Sequence, residues 1–209
     1  MNKFENFESP GLIVYPDRVK RNIAKALEMV DGNPARLRPH VKTHKTKEGN
    51  DLFLAAGIIK FKCATIAEAE LLALSEAPDV LISMQLIGPN LERFKQLVSH
   101  YPKTKFSSIV DDAFAATELN RVFTDLSTGV YVDLNMGMNR TGITPDKALA
   151  LIQHIQTLPS VTLRGLHAYD GHIRDKVYED RAKHVETDFT SFYELLERLN
   201  RSDLELVVS

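Results

Sequence analysis

Short apolar, β-branched runs alternate with longer helical patterns along almost the whole chain, and this rhythm restricts the fold more than any other feature. The strand-like runs are Leu37–Thr43, Phe61–Ala64, Val80–Leu86, Lys105–Val110, Val130–Met136, Val161–Tyr169 and Leu204–Val208. Between them the spacing turns helical. Val19, Ile23, Leu27 and Val30 mark one helix face after Pro16, and Asp31-Gly32-Asn33-Pro34 stops it. A helix is predicted up to about Ala56, with Gly57 as its C′ residue. Thr65 and Glu68 form a capping-box signature for the stretch to Glu76. Thr144-Pro145 opens a helix to about Thr157, and Val185, Phe189, Phe192, Leu196 and Leu199 lay a stripe along a long helix.

Strand alternating with helix implies parallel strands joined by crossovers. Two architectures satisfy that rule, an open doubly wound sheet and a closed (β/α)₈ barrel. Seven predicted strands, the last at the C-terminus, fall one strand short of closure. The expectation is an α/β fold: one domain over residues 1–209, a TIM-like (β/α) barrel truncated after strand seven, with an open sheet as the alternative. The 44% hydrophobic and 26% charged content suits an ordinary globular chain. A formal net charge of −2 gives no electrostatic footprint for nucleic acid. No apolar run approaches the roughly 20 residues that span a bilayer, and MNKFENFESP lacks the apolar centre of a signal peptide. A single cysteine, Cys63, rules out an intrachain disulfide. A cytoplasmic location is the resulting expectation.

The segment Arg38-Pro39-His40-Val41-Lys42-Thr43-His44-Lys45-Thr46 departs from the apolar character of a buried parallel strand. In an extended strand Arg38, His40, Lys42 and His44 share one face. Unpaired ionisable groups inside a barrel cost several kcal/mol each, so such a cluster points to a site. Ligands in α/β folds gather at the C-terminal ends of strands, where Lys42 is expected. The competing reading is a solvated loop after a shorter strand. A His40/His44 metal pair is weak, because a four-residue spacing converges on a helix and not on a strand.

Two further segments carry candidate chemistry. Asp133-Leu134-Asn135-Met136-Gly137-Met138-Asn139-Arg140-Thr141-Gly142 places an anion-binding arginine between two turn-forming glycines. In Gly165-Leu166-His167-Ala168-Tyr169-Asp170-Gly171-His172, His167 and Tyr169 share a parity and can both face a barrel mouth. The plain alternatives are a glycine turn with a surface arginine and a strand-end tyrosine completing the core. A metal set of His167, Asp170 and His172 is a weaker alternative, because their spacing is loose.

RPHVKTHKT resembles the lysine motif of the D-threonine aldolase and D-serine dehydratase family, whose N-terminal barrel is the alanine-racemase-like, fold type III pyridoxal 5′-phosphate (PLP) barrel. SPGLIVYPDRVKRNI and CATIAEAE are similar to further stretches of that family, so the resemblance runs along essentially the whole chain. It implies that Lys42 carries PLP as a Schiff base, with Lys45 lying beyond the strand. It implies that Arg140 approaches the cofactor's phenolate oxygen and that Tyr169 packs beside the ring. Asn135 stands where the family often has an acidic residue. With Lys42, His40 and His167 are the catalytic candidates, and Asp170 and His172 are second-tier candidates for substrate or proton transfer. Ser209 would precede a glycine-rich turn whose N–H groups hold the phosphate. The family's divalent metal is bound by a histidine and a cysteine of a C-terminal β-domain beyond these residues, so no metal ligand is expected in this chain. Cys63 does not match that cysteine and reads as a small apolar core residue.

The implied activity is that of a PLP-dependent lyase on D-β-hydroxy amino acids, with retro-aldol cleavage to glycine and an aldehyde. AYDGH leans toward the aldolase branch. D-Serine dehydration, amino-acid racemisation and PLP binding without turnover are the alternatives, and a homodimer is expected for the full-length protein. A barrel fragment that binds nothing for want of the phosphate loop is a further alternative.

Overall fold

The computed structural model describes residues 7–209; the first residues of the N-terminal segment read for a leader lie outside them. Six parallel strands form one sheet in sequential order, curled into a half-barrel and alternating with helices. The strands are β1 (Lys60–Cys63), β2 (Asp79–Gln85), β3 (Lys105–Val110), β4 (Thr128–Asn135), β5 (Val161–Tyr169) and β6 (Glu205–Val208). The helices are α1 (Pro16–Met29), α2 (Lys47–Ala55), α3 (Ile66–Leu74), α4 (Pro89–His100), α5 (Ala113–Val122), α6 (Pro145–Gln156) and α7 (Tyr178–Leu199).

The first expected strand is a correction. Residues 37–43 pair with the sheet only through the isolated bridge His40↔Lys62, and Val41–Thr43 is a 3₁₀ turn. The cause is local: His40 Nδ1 accepts the Lys42 N–H at 3.1 Å, which curls the backbone where a strand would continue. The seven predicted strands are therefore six strands and one bridged segment. The helix signals match their elements. Thr65 Oγ1 caps α3 by accepting from Glu68 N, and buried Glu68 accepts in turn from Ala64 N. Gly57, at φ 80, follows the end of α2.

Alternation divides each strand between two cores. Phe61, Cys63, Val80, Ile82, Val130 and Val132 face the helices in the main cluster, where Cys63 packs as a fully buried small side chain. Leu81, Ile109, Tyr131 and Val207 form a second, interior cluster. Below that layer, at the N-terminal end of the strands, lies a charged floor. Arg38 bonds Asp79 at 2.6 Å and Glu205 at 2.9 Å, and Arg164 bonds the other Asp79 oxygen at 2.5 Å. Lys60 and the Tyr131 hydroxyl also donate to Glu205. A one-residue irregularity in β5, where Val130 faces Leu163 and Tyr131 faces Gly165, admits Arg164 to the floor. Gly129 makes room for it, since a Cβ there would overlap Arg164 Cδ. The interior thus has a closed ionic bottom, an apolar middle and a polar mouth.

Candidate functional site

The mouth is built from strand ends on adjacent registers. Asp133 faces His167 across β4 and β5, and Asn135 faces Tyr169 one step further out. Asp133 Oδ1 lies 2.7 Å from His167 Nδ1, and both side chains are buried. Thr141 donates to the other Asp133 oxygen at 3.0 Å. An ionised Asp133 keeps the imidazole proton on Nδ1, so His167 Nε2 presents a lone pair. That nitrogen lies 3.4 Å from Lys62 Nζ, and Lys62 donates to Ser209 Oγ at 2.6 Å. The result is a continuous polar chain, Asp133–His167–Lys62–Ser209, across the mouth. Burial and the neighbouring charge of Lys42 pull the Lys62 ammonium down to about 8, while Asp133 opposes the shift.

Lys42 stands exposed on the 3₁₀ turn at the same end. The turn follows the His40↔Lys62 bridge, which puts it at the C-terminal, mouth end of the sheet, and the Lys42 charge lowers both His40 and Lys62. His40 is half-buried; desolvation, then Lys42 and Lys62, lower it to about 4, so its ring is neutral at neutral pH. With Nδ1 accepting from the Lys42 N–H, its proton sits on Nε2, 3.5 Å from Ser83 Oγ. Arg38, expected beside Lys42, lies on the floor instead. His44 turns toward Asn50, bonding it at 2.9 Å, and does not pair with His40. Lys45 pairs with buried Glu68 at 3.1 Å.

Arg140 and Tyr169 form a second group. The Arg140 guanidinium lies over the Tyr169 ring, 5.2 Å from its centroid. The loop that carries Arg140 is organised by Asn135. Its Oδ1 accepts from Gly137 N and Asn139 N, and its amide donates to Asn139. An acidic side chain could accept those two N–H groups but could not donate to Asn139. Gly142, at φ 97, closes the loop by donating to Asp111 at 2.9 Å. Gly171 supports Tyr169, because a Cβ there would overlap the ring's Cζ and Oη.

The remaining candidates are placed differently. Asp170 acts through its backbone, its N–H bonding Ser209 O at 3.0 Å. His172 turns away from the strand ends to α7, where its Nε2 lies 2.6 Å from Asp188 Oδ2. Thus Lys42, His40, His167 and Ser209 are brought together through Lys62, Arg140 and Tyr169 pair beside them, and His172 belongs to another cluster. Sequence reasoning missed Lys62 and Asp133 as site residues. The available signal was two lysines at alternate positions, Lys60 and Lys62, in a four-residue strand.

The residues present suit PLP. An exposed primary amine can condense with an aldehyde, an ammonium, a hydroxyl and a guanidinium can donate to anionic oxygens, and an aromatic ring can pack on a pyridine face.

The sequence profile of the family described as "Alanine racemase, N-terminal domain" matches residues 14–209. The chain is 29% identical over 181 residues to a D-threonine aldolase of Arthrobacter sp, covering 84% of this chain and 47% of that protein. It is 27% identical over 205 residues to a 3-hydroxy-D-aspartate aldolase of Paracoccus denitrificans (strain Pd 1222), covering 94% of this chain and 52% of that protein. The crystal structure of D-threonine aldolase from Filomicrobium marinum superposes with a TM-score of 0.83 at 26% identity, covering 96% of this chain and 55% of that one. The chain spans about half the length of the curated relatives it matches.

Proposed function

The chain belongs to the alanine racemase N-terminal domain family, and from that premise we propose that it is the cofactor-binding half of a PLP-dependent lyase that cleaves D-β-hydroxy amino acids to glycine and an aldehyde. The observation that carries the reading is the convergence of one exposed amine, Lys42, with the Asp133–His167–Lys62–Ser209 chain at one end of the strands. The relatives include aldolases of D-threonine and of 3-hydroxy-D-aspartate at 29% and 27% identity and a D-threo-3-hydroxyaspartate dehydratase at 28%; what supports carbon–carbon cleavage is the longer span of the aldolase matches, 181 and 205 residues against 153.

In this reading Lys42 would hold the cofactor through its amine, Tyr169 and Arg140 would serve its aromatic and phenolate groups, and Lys62 with Ser209 would supply donors for its anionic groups. PLP, when bound, withdraws electrons from the bond broken at Cα. The chain's own contribution is positioning and proton handling. His167 Nε2 is a lone pair fixed by Asp133 through Nδ1, the arrangement of a positioned base. His40 is neutral and bonds the backbone of Lys42, so it steadies the turn without adding a second charge beside the amine. The floor of Arg38, Asp79, Arg164 and Glu205 lies at the opposite end of the strands and is structural in this account.

The test is turnover by the full-length protein of D-threonine and of D-serine, with and without a divalent metal. Glycine plus acetaldehyde from D-threonine is the expected result. Pyruvate plus ammonia from D-serine, with no aldehyde from D-threonine, would make it a dehydratase.

A further inference from the structure

A cluster of His172, His184, Asp188 and Asp175 lies between the loop that follows β5 and helix α7, and the reaction above uses none of it. His184 and Asp188 stand four residues apart on α7, so they project from one face. His172 reaches them from the loop. His172 Nε2 lies 2.6 Å from Asp188 Oδ2, and His184 Nε2 lies 3.5 Å from the same oxygen. One ligand atom from each of the three residues falls within a sphere of mutual distances under 4.8 Å. His184 Nδ1 lies 2.9 Å from Asp175 Oδ2, so its other nitrogen is the one turned to the cluster.

We propose that His172, His184 and Asp188 bind a divalent transition cation of the zinc class, with Asp175 orienting His184. Two imidazole nitrogens and a carboxylate oxygen are a ligand set suited to zinc and its neighbours, with a fourth position left for water. The Asp175–His184 bond is the outer carboxylate that fixes ring orientation and tautomer at such sites. Tetrahedral ligands about 2.0–2.1 Å from zinc stand ~3.3 Å apart. The His184–Asp188 separation already matches, and the His172–Asp188 contact opens by less than an ångström.

A purely ionic reading explains less. His172 Nδ1 is buried without a hydrogen-bond partner in either reading; what the ionic reading leaves out is the convergence of a third ligand atom, His184 Nε2, on the Asp188 oxygen that His172 already holds. The backbone is shaped to the cluster as well. A Cβ on Gly137 would come within 2.8 Å of His172 Nε2 and 3.0 Å of Asp188 Oδ2. Gly137 lies in the loop that presents Arg140, so the cation would brace that loop, the loop after β5 and α7 against one another. The inference stands without the aldolase reading, since it needs neither PLP nor turnover.

The experiment titrates the untagged chain, freed of metal by chelator, with zinc in a calorimeter and with cobalt(II) by visible spectroscopy. One equivalent should bind, with d–d bands of a low-coordinate nitrogen–oxygen site. His184→Gln and His172→Gln should each weaken binding at least tenfold, whereas His100→Gln should not. Because a variant could misfold, a second measurement uses the unaltered chain: zinc should protect His172 and His184 from diethylpyrocarbonate, read by mass spectrometry, and leave His100 and His154 reactive. Absence of stoichiometric binding, parental affinity in both cluster variants, or no selective protection overturns the proposal.

Discussion

Lys62 Nζ lies 2.6 Å from Ser209 Oγ and 3.4 Å from His167 Nε2, so one buried ammonium joins the end of β6 to the imidazole at the end of β5. The groups whose charges act on it are Lys42, Asp133 and Arg38.

That position predicts a pH signature. Lys62 titrates at about 8, so it is charged below that pH and neutral above it. Affinity for PLP, whose phosphate is anionic, should fall as pH rises through about 8. Lys62→Met should bind PLP roughly tenfold more weakly at pH 7, a loss of ~1.4 kcal/mol, and should show no inflection near pH 8. Fluorescence or absorbance titration of PLP across pH 6.5–9.5 reads both.

Gly171→Ala should disturb the site and spare the fold. The new methyl group displaces the Tyr169 ring from the Arg140 guanidinium, while φ at this position is ordinary. PLP affinity should drop severalfold, and the urea midpoint should move by no more than about 1 kcal/mol in free energy.

Arg38→Met should be costly for stability. Its side chain is 6% exposed and serves both Asp79 and Glu205. Removing it leaves buried Asp79 with Arg164 alone and half-buried Glu205 with Lys60 and Tyr131, a loss of about 1.5–3 kcal/mol, read as a lower urea midpoint at pH 7. Full stability in this variant would show that Arg164 and Lys60 suffice to hold the floor.

His40 should make stability fall on the acid side. Its folded value of about 4 lies below the ordinary 6.5, so the unfolded chain binds the proton more tightly. Its contribution is complete above pH 6.5 and is lost as pH falls toward 4. The facing groups are Lys42, Lys62, Glu68 and His167. Half-exposure and screening limit the effect to about 1–2 kcal/mol. His40→Asn, which keeps an acceptor for the Lys42 N–H, should lose less stability than the parent between pH 7 and pH 4.5.

The βα rhythm was legible because apolar periodicity reports burial directly: each of β1 to β6 overlaps a predicted run, although β1, β2 and β4 begin one or two residues before theirs, at Lys60, Asp79 and Thr128. The segment at residues 37–43 was misread because a side chain, His40, competes for the backbone N–H of Lys42, and periodicity carries no sign of that. Arg38 and Lys42 share a parity, yet four strand residues span ~13 Å. Same face therefore meant opposite ends, floor for one and mouth for the other. His167 and Tyr169 were readable from parity on β5. Their partners were not, because pairing Asp133 with His167 requires the inter-strand register. The ligand pair His184 and Asp188 has a helical spacing visible in sequence, but its third member comes from a loop whose course only the fold defines.

The account's central claim is that Lys42 is the amine that holds PLP. Borohydride reduction of the PLP-loaded protein, followed by peptide mass mapping, should leave a pyridoxyl mass on the peptide containing Lys42 and a protein without visible absorbance in Lys42→Ala. A label on Lys62 or Lys45, or an undiminished label in Lys42→Ala, would contradict it.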